Sequence, residues 1–267
     1  LMIGKARGVP VLGAPGCARS PVENGFDWEL MRLLAGLKVA RRDLTGMGVG
    51  GLLMEIVTRP QPRISPAADS NCNIAALILA AGLSTRMGGS NKLLAELGGK
   101  PLVRVVAEQV LASKASSVTV VTGHQAAEVE RALRGLNVTF VYNPDFPDGF
   151  ASSIRVGIGA IPKEAGGALV CLGDMPLADA DLMDQLIAAF APDLGQLIAV
   201  PVSDGRQGNP VLWSRRFFGE LMSLDGDIGG RHLLASHAAA VAEVSVNAHG
   251  AFFDIDTPQA LAALQRG

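Results

Sequence analysis

Between residues 74 and 203 the chain alternates between two patterns of apolar and polar positions. IAALILAA, from Ile74 to Ala81, is apolar throughout, the pattern of a strand buried on both faces. PLVRVVAEQVLASK follows, with apolar residues at helical spacing and Pro101 in a first-turn position. SVTVVTG predicts a strand, QAAEVERALRG a helix ending at Gly135, and VTFVYN another strand. ASSIRVGIGAI reads as a helix despite two interior glycines, which weaken helix formation. ALVCLGD is a strand, DADLMDQLIAAF a helix capped by Asp179, and LIAVPV a strand.

Strands and helices in alternation at this spacing predict an α/β fold: a Rossmann-like, mostly parallel sheet with helices on both faces. In such sheets ligands bind beyond the carboxyl ends of the strands. That rule selects Gly82 to Lys92, Asp174, and the pair Asp254 and Asp256. Ahead of this region, TRPQPRISPAADSNCN has three prolines, small polar residues and no periodicity, so it reads as a linker. The expected organisation is an amino-terminal piece over 1–58, with an amphipathic stretch from Phe26 to Leu37, a linker over 59–73, and the main domain over 74–267. The chain starts at Leu1 and reads as beginning inside a domain. There is no internal repeat.

Composition narrows the function classes. The 267 residues are 49% apolar with a formal net charge of −2, which gives no basic field for nucleic acid. Aromatic residues make up 4%, too few for a base-stacking surface. No apolar run approaches the roughly 20 residues that span a bilayer, and no signal peptide is visible, so neither a membrane nor a nucleic acid is expected as partner. Cys17, Cys72 and Cys171 form no CxxC pair, which argues against a zinc site or disulfide framework and suits a reducing cytoplasm.

The candidate chemistry begins in LILAAGLSTRMGGSNKLL. Glycines let backbone N–H groups curl around an anion, while Arg86 can fork onto phosphate oxygens and Lys92 supplies a point charge. The spacing is not that of an ATPase P-loop, because Lys92 follows Asn91 and Leu93 stands where a hydroxyl is needed. A glycine-rich turn with two solvated cations remains the alternative. CLGDMP sets Asp174 at the end of an apolar strand, and DIDTP sets Asp254 and Asp256 just before Pro258. Carboxylates so placed suit Mg²⁺, which takes one or two of them plus substrate phosphates. Ser152 and Ser153 either cap a helix or line a substrate pocket. His124, His232, His237 and His249 lack metal-site spacing and read as structural or surface residues.

LILAAGLSTRMGGSNKLL, NPDFPDGFASSIRVGI, CLGDMPLADADLMDQL, GRQGNPVLW, DGDIGGRHLL and FDIDTPQAL occur in this order over residues 74–267. Together they resemble the nucleotidyltransferases of molybdenum-cofactor maturation, and most closely the molybdenum cofactor cytidylyltransferases. The resemblance implies a nucleotide-diphospho-sugar transferase-like sheet. It also implies a cytoplasmic enzyme with Mg²⁺ as cofactor and CTP and molybdenum-molybdopterin as substrates, releasing pyrophosphate. A molybdoenzyme receiving the product is a further implied partner. Carried over by residue, it implies nucleotide binding at Leu79, Ala80, Ala81 and Gly82, and catalysis by Arg86, Lys92 and Asp174. It places the metal on Asp174 and Asp256, and the acceptor against Ser152, Ser153, Gly208, Asn209 and Pro210. The acceptor's terminal phosphate would be the nucleophile, so no covalent enzyme intermediate is expected. Ala81-Gly82, where the guanylyl branch more often has two glycines, favours CTP over GTP. GVPVLGAPGCARSPVENGFDWELMRLLAGL and LTGMGVGGLLMEI look like the C-terminal part of a molybdopterin-binding domain. Gly46, Gly48 and Gly51 satisfy GxGxxG but follow no buried strand, so a dinucleotide site is not expected there. A guanylyltransferase, a sugar- or alditol-phosphate nucleotidyltransferase and a cofactor carrier are the competing functions.

Overall fold

The computed structural model describes residues 2–6, 9–13, 31, 73–84, 91–226, 230–246, 249–255 and 260. The chain divides into two compact units, Leu1–Arg59 and Pro60–Gly267. In the first, β1 (Met2–Ala6) pairs antiparallel with β2 (Val9–Gly13), Met2 opposite Gly13 and Ala6 opposite Val9. Apart from exposed Met31, the amphipathic stretch 26–37 lies outside the described residues, as do Gly46, Gly48 and Gly51.

The second unit is built on β3 (Ile74–Ala80), buried at every position. It has a parallel neighbour on each side, β6 (Ser117–Thr122) and β8 (Gly167–Leu172), which is why its sequence is apolar without alternation. Parallel pairing extends outward from β6 to β7 (Thr139–Tyr142) at the sheet edge. On the other side, β9 (Ile198–Ser203) pairs in parallel with β12 (Val241–Ser245). Between β8 and β9 lies β11 (Val211–Ser214), antiparallel to both, and β10 (Arg206–Gln207) forms a hairpin with β9. The sheet is therefore mixed and mostly parallel. The reversed β11 was not foreseen, because VLWS is buried at all four positions and carries no alternation to read. A small ribbon, β4 (Glu96–Leu97) with β5 (Lys100–Pro101), completes the strands described.

Helices cover both faces. Ile74, Ala76, Ile78 and Ala80 share one core with Val103, Val106 and Val110 of α1 (Leu102–Ala112) and Leu182, Met183 and Leu186 of α4 (Ala180–Ala189). Asp179 caps α4 by accepting the Leu182 N–H at 2.9 Å, as expected. Pro101 sits at the N-cap of α1, one residue before the turn the sequence assigned it. The helix expected to end at Gly135 is shorter: α2 spans Ala126–Ala132 and Gly135 lies beyond it at φ +87.

The opposite face of β3 meets α3 (Phe150–Ala160). Its glycines, read as a weakness, include one that the packing demands. A Cβ at Gly157 would lie 2.5 and 2.6 Å from the two methyls of buried Leu77. The sheet-to-helix approach thus requires the missing side chain. Shorter helices α5 (Phe218–Met222) and α6 (Arg231–Ser236) follow. No helix among the described residues is long and apolar enough to cross a membrane.

Asn143, fully buried after β7, ties that strand to α3. Its Nδ2 donates to Ser152 Oγ at 2.9 Å and Ser153 Oγ at 3.1 Å, and its Oδ1 accepts the Asp145 N–H at 3.0 Å. Removing such a group leaves buried partners unsatisfied. Asn143→Ala is expected to lower stability by about 1–3 kcal/mol, read as a lower urea midpoint with an unchanged m-value.

Candidate active site

The parallel register sets Leu79 opposite Leu172, so the chain leaves β3 and β8 side by side. Gly173 N–H donates to the Leu79 carbonyl at 3.0 Å just past the last pair. Asp174 follows, and the Ile255 N–H donates to its carbonyl at 3.1 Å. That bond draws Asp254 and Ile255, the start of the DIDTP stretch, to the end of β8. Asp254 is exposed, and Asp256 lies outside the described residues.

After β3 the chain runs through Ala81, Gly82, Leu83 and Ser84. Residues 85–90, with Arg86 and two of the expected glycines, lie outside the described residues. The two ends of that interval are joined. Ser84, at φ +53, donates through Oγ to Asn91 Oδ1 at 3.3 Å and accepts the Lys92 N–H at 3.2 Å. Asn91 Oδ1 also accepts the Leu93 N–H at 3.0 Å, capping the single 3-10 turn Lys92–Leu94. This turn aims Lys92 at Asp174, with Nζ 2.5 Å from Oδ2. Their side chains are 16% and 15% exposed, so the pair is only partly screened by water. Ser84 and Asn91 were not singled out from the sequence, where they read as ordinary loop residues.

Two cavities adjoin at this end of the sheet. The first, of about 690 Å³, is walled by Leu79, Ala81, Gly82 and Ser153 and carries the charges of Lys92, Asp148 and Asp174. The second, of about 650 Å³, is walled by Ile154, Gly208, Asn209 and Trp213, with Arg206 and Arg231 as its charged residues. Phe150 and Leu172 line both.

The structure therefore brings Leu79, Ala81, Gly82, Lys92, Ser153 and Asp174 to one cavity, and Gly208 and Asn209 to the next. Ala80, Ser152 and Pro210 line neither. Ala80 points to the opposite face of β3 and is packed in the core, as strand alternation requires. Ser152 is buried between Asn143 and the Gly149 carbonyl, which its Oγ donates to at 2.8 Å. Pro210, buried behind a cis Asn209–Pro210 bond, leads into β11. Asp148, Trp213, Arg206 and Arg231 went unmarked in the sequence, although all four lie inside or beside stretches that carried the resemblance.

A lysine and a carboxylate at strand ends, with a neighbouring pocket, are what phosphoryl and nucleotidyl transfer need, because that chemistry depends on positioning and charge neutralisation. Residues 76–241 match the family described as MobA-like NTP transferase domain. The chain belongs to that family. Every residue lining the two cavities falls inside the MobA-like domain. Two curated relatives match over under half of the chain. The bifunctional protein GlmU of Bifidobacterium adolescentis is 37% identical over 120 residues, 43% of this chain and 26% of its own length. GlmU of Sorangium cellulosum is 35% identical over 124 residues, 44% of this chain and 26% of its own length. The chain thus spans about a quarter of the length of these relatives. Among solved structures, Rv0371c of Mycobacterium tuberculosis is 26% identical with a TM-score of 0.65, over 73% of this chain and 98% of that one. Its complex with manganese has a TM-score of 0.63 at 25% identity, over 73% of this chain and 99% of that one. The MobA-like domain is a nucleotidyltransferase.

Cys171, on β8 three residues before Asp174, is no nucleophile in this site. It is 2% exposed, and burial pushes its thiol up to about 12. The thiolate is the reactive form, so the group stays protonated and inert at neutral pH. In the native protein at pH 8, Cys171 is expected to resist iodoacetamide and to react only after denaturation. Peptide mass mapping of labelled against unlabelled Cys171 checks this, and rapid native labelling would contradict the burial.

Proposed function

We propose that this transferase moves a cytidylyl group from CTP to the terminal phosphate of molybdenum-bound molybdopterin and releases pyrophosphate. The observation that carries this reading is the pair of adjoining cavities. The first gathers Lys92 and Asp174 at the strand ends. The second is walled by Gly208 and Asn209 of the GRQGNP stretch, which resembles the acceptor side of the cytidylyltransferases.

In this reading the triphosphate occupies the first cavity. Lys92 and Asp174 neutralise each other as they stand. An incoming triphosphate competes for the Lys92 ammonium and frees the Asp174 carboxylate. Arg86 joins Lys92 on the phosphates. Asp174, with Asp148 on the same wall, offers hard oxygen donors that fit a divalent cation such as Mg²⁺. Asp174 would hold the ion, with Asp256 as second ligand, and the ion when bound would offset the charge of the triphosphate and the departing pyrophosphate. Leu79, Ala81 and Gly82 shape the floor under the nucleotide, and Ser153 borders it. The acceptor phosphate attacks the α-phosphorus across the seam at Phe150 and Leu172. A bond from that phosphate oxygen to phosphorus forms as the bond to pyrophosphate breaks. A molybdoenzyme that takes up the dinucleotide product is the partner this reading implies.

The identity to GlmU favours a second reading, a sugar phosphate as acceptor. Pyrophosphate release decides between them. It is measured with CTP, GTP and ATP, and with molybdenum-loaded molybdopterin or N-acetylglucosamine 1-phosphate as acceptor. Release is expected with CTP and the pterin. Asp174→Asn is expected to lower it by about 100-fold or more, the scale of losing one electrostatic contact in a transition state. Release with the sugar phosphate alone would establish the second reading. Release with GTP in place of CTP would move the protein to the guanylyl branch.

A further inference from the structure

The charges on the two cavities differ in kind. The first carries one cation and two carboxylates among its described lining residues. The second carries Arg206 and Arg231, and no carboxylate among the described residues that line it. Three other arginines donate to backbone carbonyls. Arg104 Nη1 donates to the Ala132 carbonyl at 2.9 Å, Arg155 Nη1 to the Leu224 carbonyl at 2.6 Å, and Arg215 Nε to the Ala165 carbonyl at 2.5 Å. The side chains of Arg206 and Arg231 have no hydrogen-bond or ion-pair partner among the described residues.

Both guanidiniums are presented from fixed backbone. Arg206 follows the tight turn of the β9–β10 hairpin, where Asp204 and Gly205 have φ +51 and +73, and it sits opposite Ser203. Two successive positive φ values match the turn that suits a two-residue hairpin. Arg231 opens α6 directly after Gly230. A Cβ at Gly230 would lie 2.7 Å from the Trp213 ring, so this backbone is pressed against the cavity wall. The rest of the lining is mainly apolar: Phe150, Ile154, Val170, Leu221 and Leu234. Arg206 and Arg231 themselves are exposed to solvent.

We propose that Arg206 and Arg231 bind a second anionic group on the acceptor, distinct from the phosphate that attacks the nucleotide. This rests on the second cavity being the acceptor site. The attacking phosphate must reach the α-phosphorus in the first cavity, so it lies at the shared wall of Phe150 and Leu172. The two arginines line the second cavity alone. A group they hold is therefore on the acceptor side of that shared wall, and guanidinium selects an oxyanion or carboxylate-like group there. The acceptor class that fits is a phosphate ester with a second anionic centre beyond an apolar or planar body. A neutral sugar phosphate leaves both arginines unused.

Calorimetric titration of the full chain tests this. The two-anion probe is molybdopterin carrying its molybdenum-oxo centre, the one-anion probe is N-acetylglucosamine 1-phosphate, and CTP reports on the first cavity. Arg206→Gln and Arg231→Gln are each expected to weaken the two-anion probe by about tenfold or more, the scale of one charge-assisted hydrogen bond. The one-anion probe and CTP should change by less than about twofold, and Arg206→Lys should recover part of the loss. Equal weakening of both probes would place the arginines on the attacking phosphate and overturn the proposal. So would unchanged binding of both probes. A wild-type chain that binds the two-anion probe through these arginines yet transfers no cytidylyl group keeps this inference and overturns the functional reading. A wild-type chain that binds CTP but neither acceptor overturns both.

Discussion

Parallel pairing of β3 with β8 is the constraint from which the rest of the catalytic unit follows. With Leu79 opposite Leu172, both strands end at one level, and the segments that leave them are forced into contact. Neither segment can be placed without the other. The Gly173 N–H closes on the Leu79 carbonyl, and Asp174 emerges within reach of a lysine 82 positions earlier in the chain. A slip of the register by one residue would turn the alternating side chains of β3 to the wrong faces, exchanging Ala80 for the residues that line the first cavity.

The ion pair formed there is well placed for use and poorly suited to stabilise the fold. Lys92 and Asp174 are partly shielded, and each has its charge balanced by the other. Holding two side chains in one arrangement has an entropic cost, and partial burial has a desolvation cost. An arrangement of that kind makes physical sense where a highly charged ligand replaces one partner. The surrounding hydrogen bonds are oriented to the same end. Asn91 and Ser84 fix the turn that carries the lysine, while the Ile255 N–H fixes the backbone that carries the aspartate.

Much of this was legible in the sequence, for a physical reason. A strand buried on both faces announces itself through unbroken apolar character, so Ile74–Ala80 and the strand ends beside it could be located, and with them Lys92 and Asp174. Helix α3 was legible through its apolar spacing, although Gly157 looked like a flaw until Leu77 was seen beneath it. Other features left no local trace. The reversal of β11 inserts it between β9 and β8, and its partners on β8 lie 41 to 47 residues upstream, beyond any local window of sequence. Ser152 and Ser153 are adjacent and chemically alike, and both accept from Asn143, but only the helix phase leaves Ser153 at the cavity while Ser152 turns to the Gly149 carbonyl. Arg206 and Arg231 sit in stretches whose glycines and asparagine drew attention first.

Phe150 and Leu172 form a partition with one cavity on each side. Its two faces belong to the same side chains, so a change in the bulk of either residue alters both spaces together. The outer walls have no such linkage. Strand β10, which bears Arg206, ends the sheet three strands out from β8, away from the end that carries Lys92 and Asp174. In the proposed reading, acceptor preference can therefore drift during evolution through that peripheral strand while the chemistry at Lys92 and Asp174 is inherited intact. A single sheet can in this way give rise to enzymes with different second substrates.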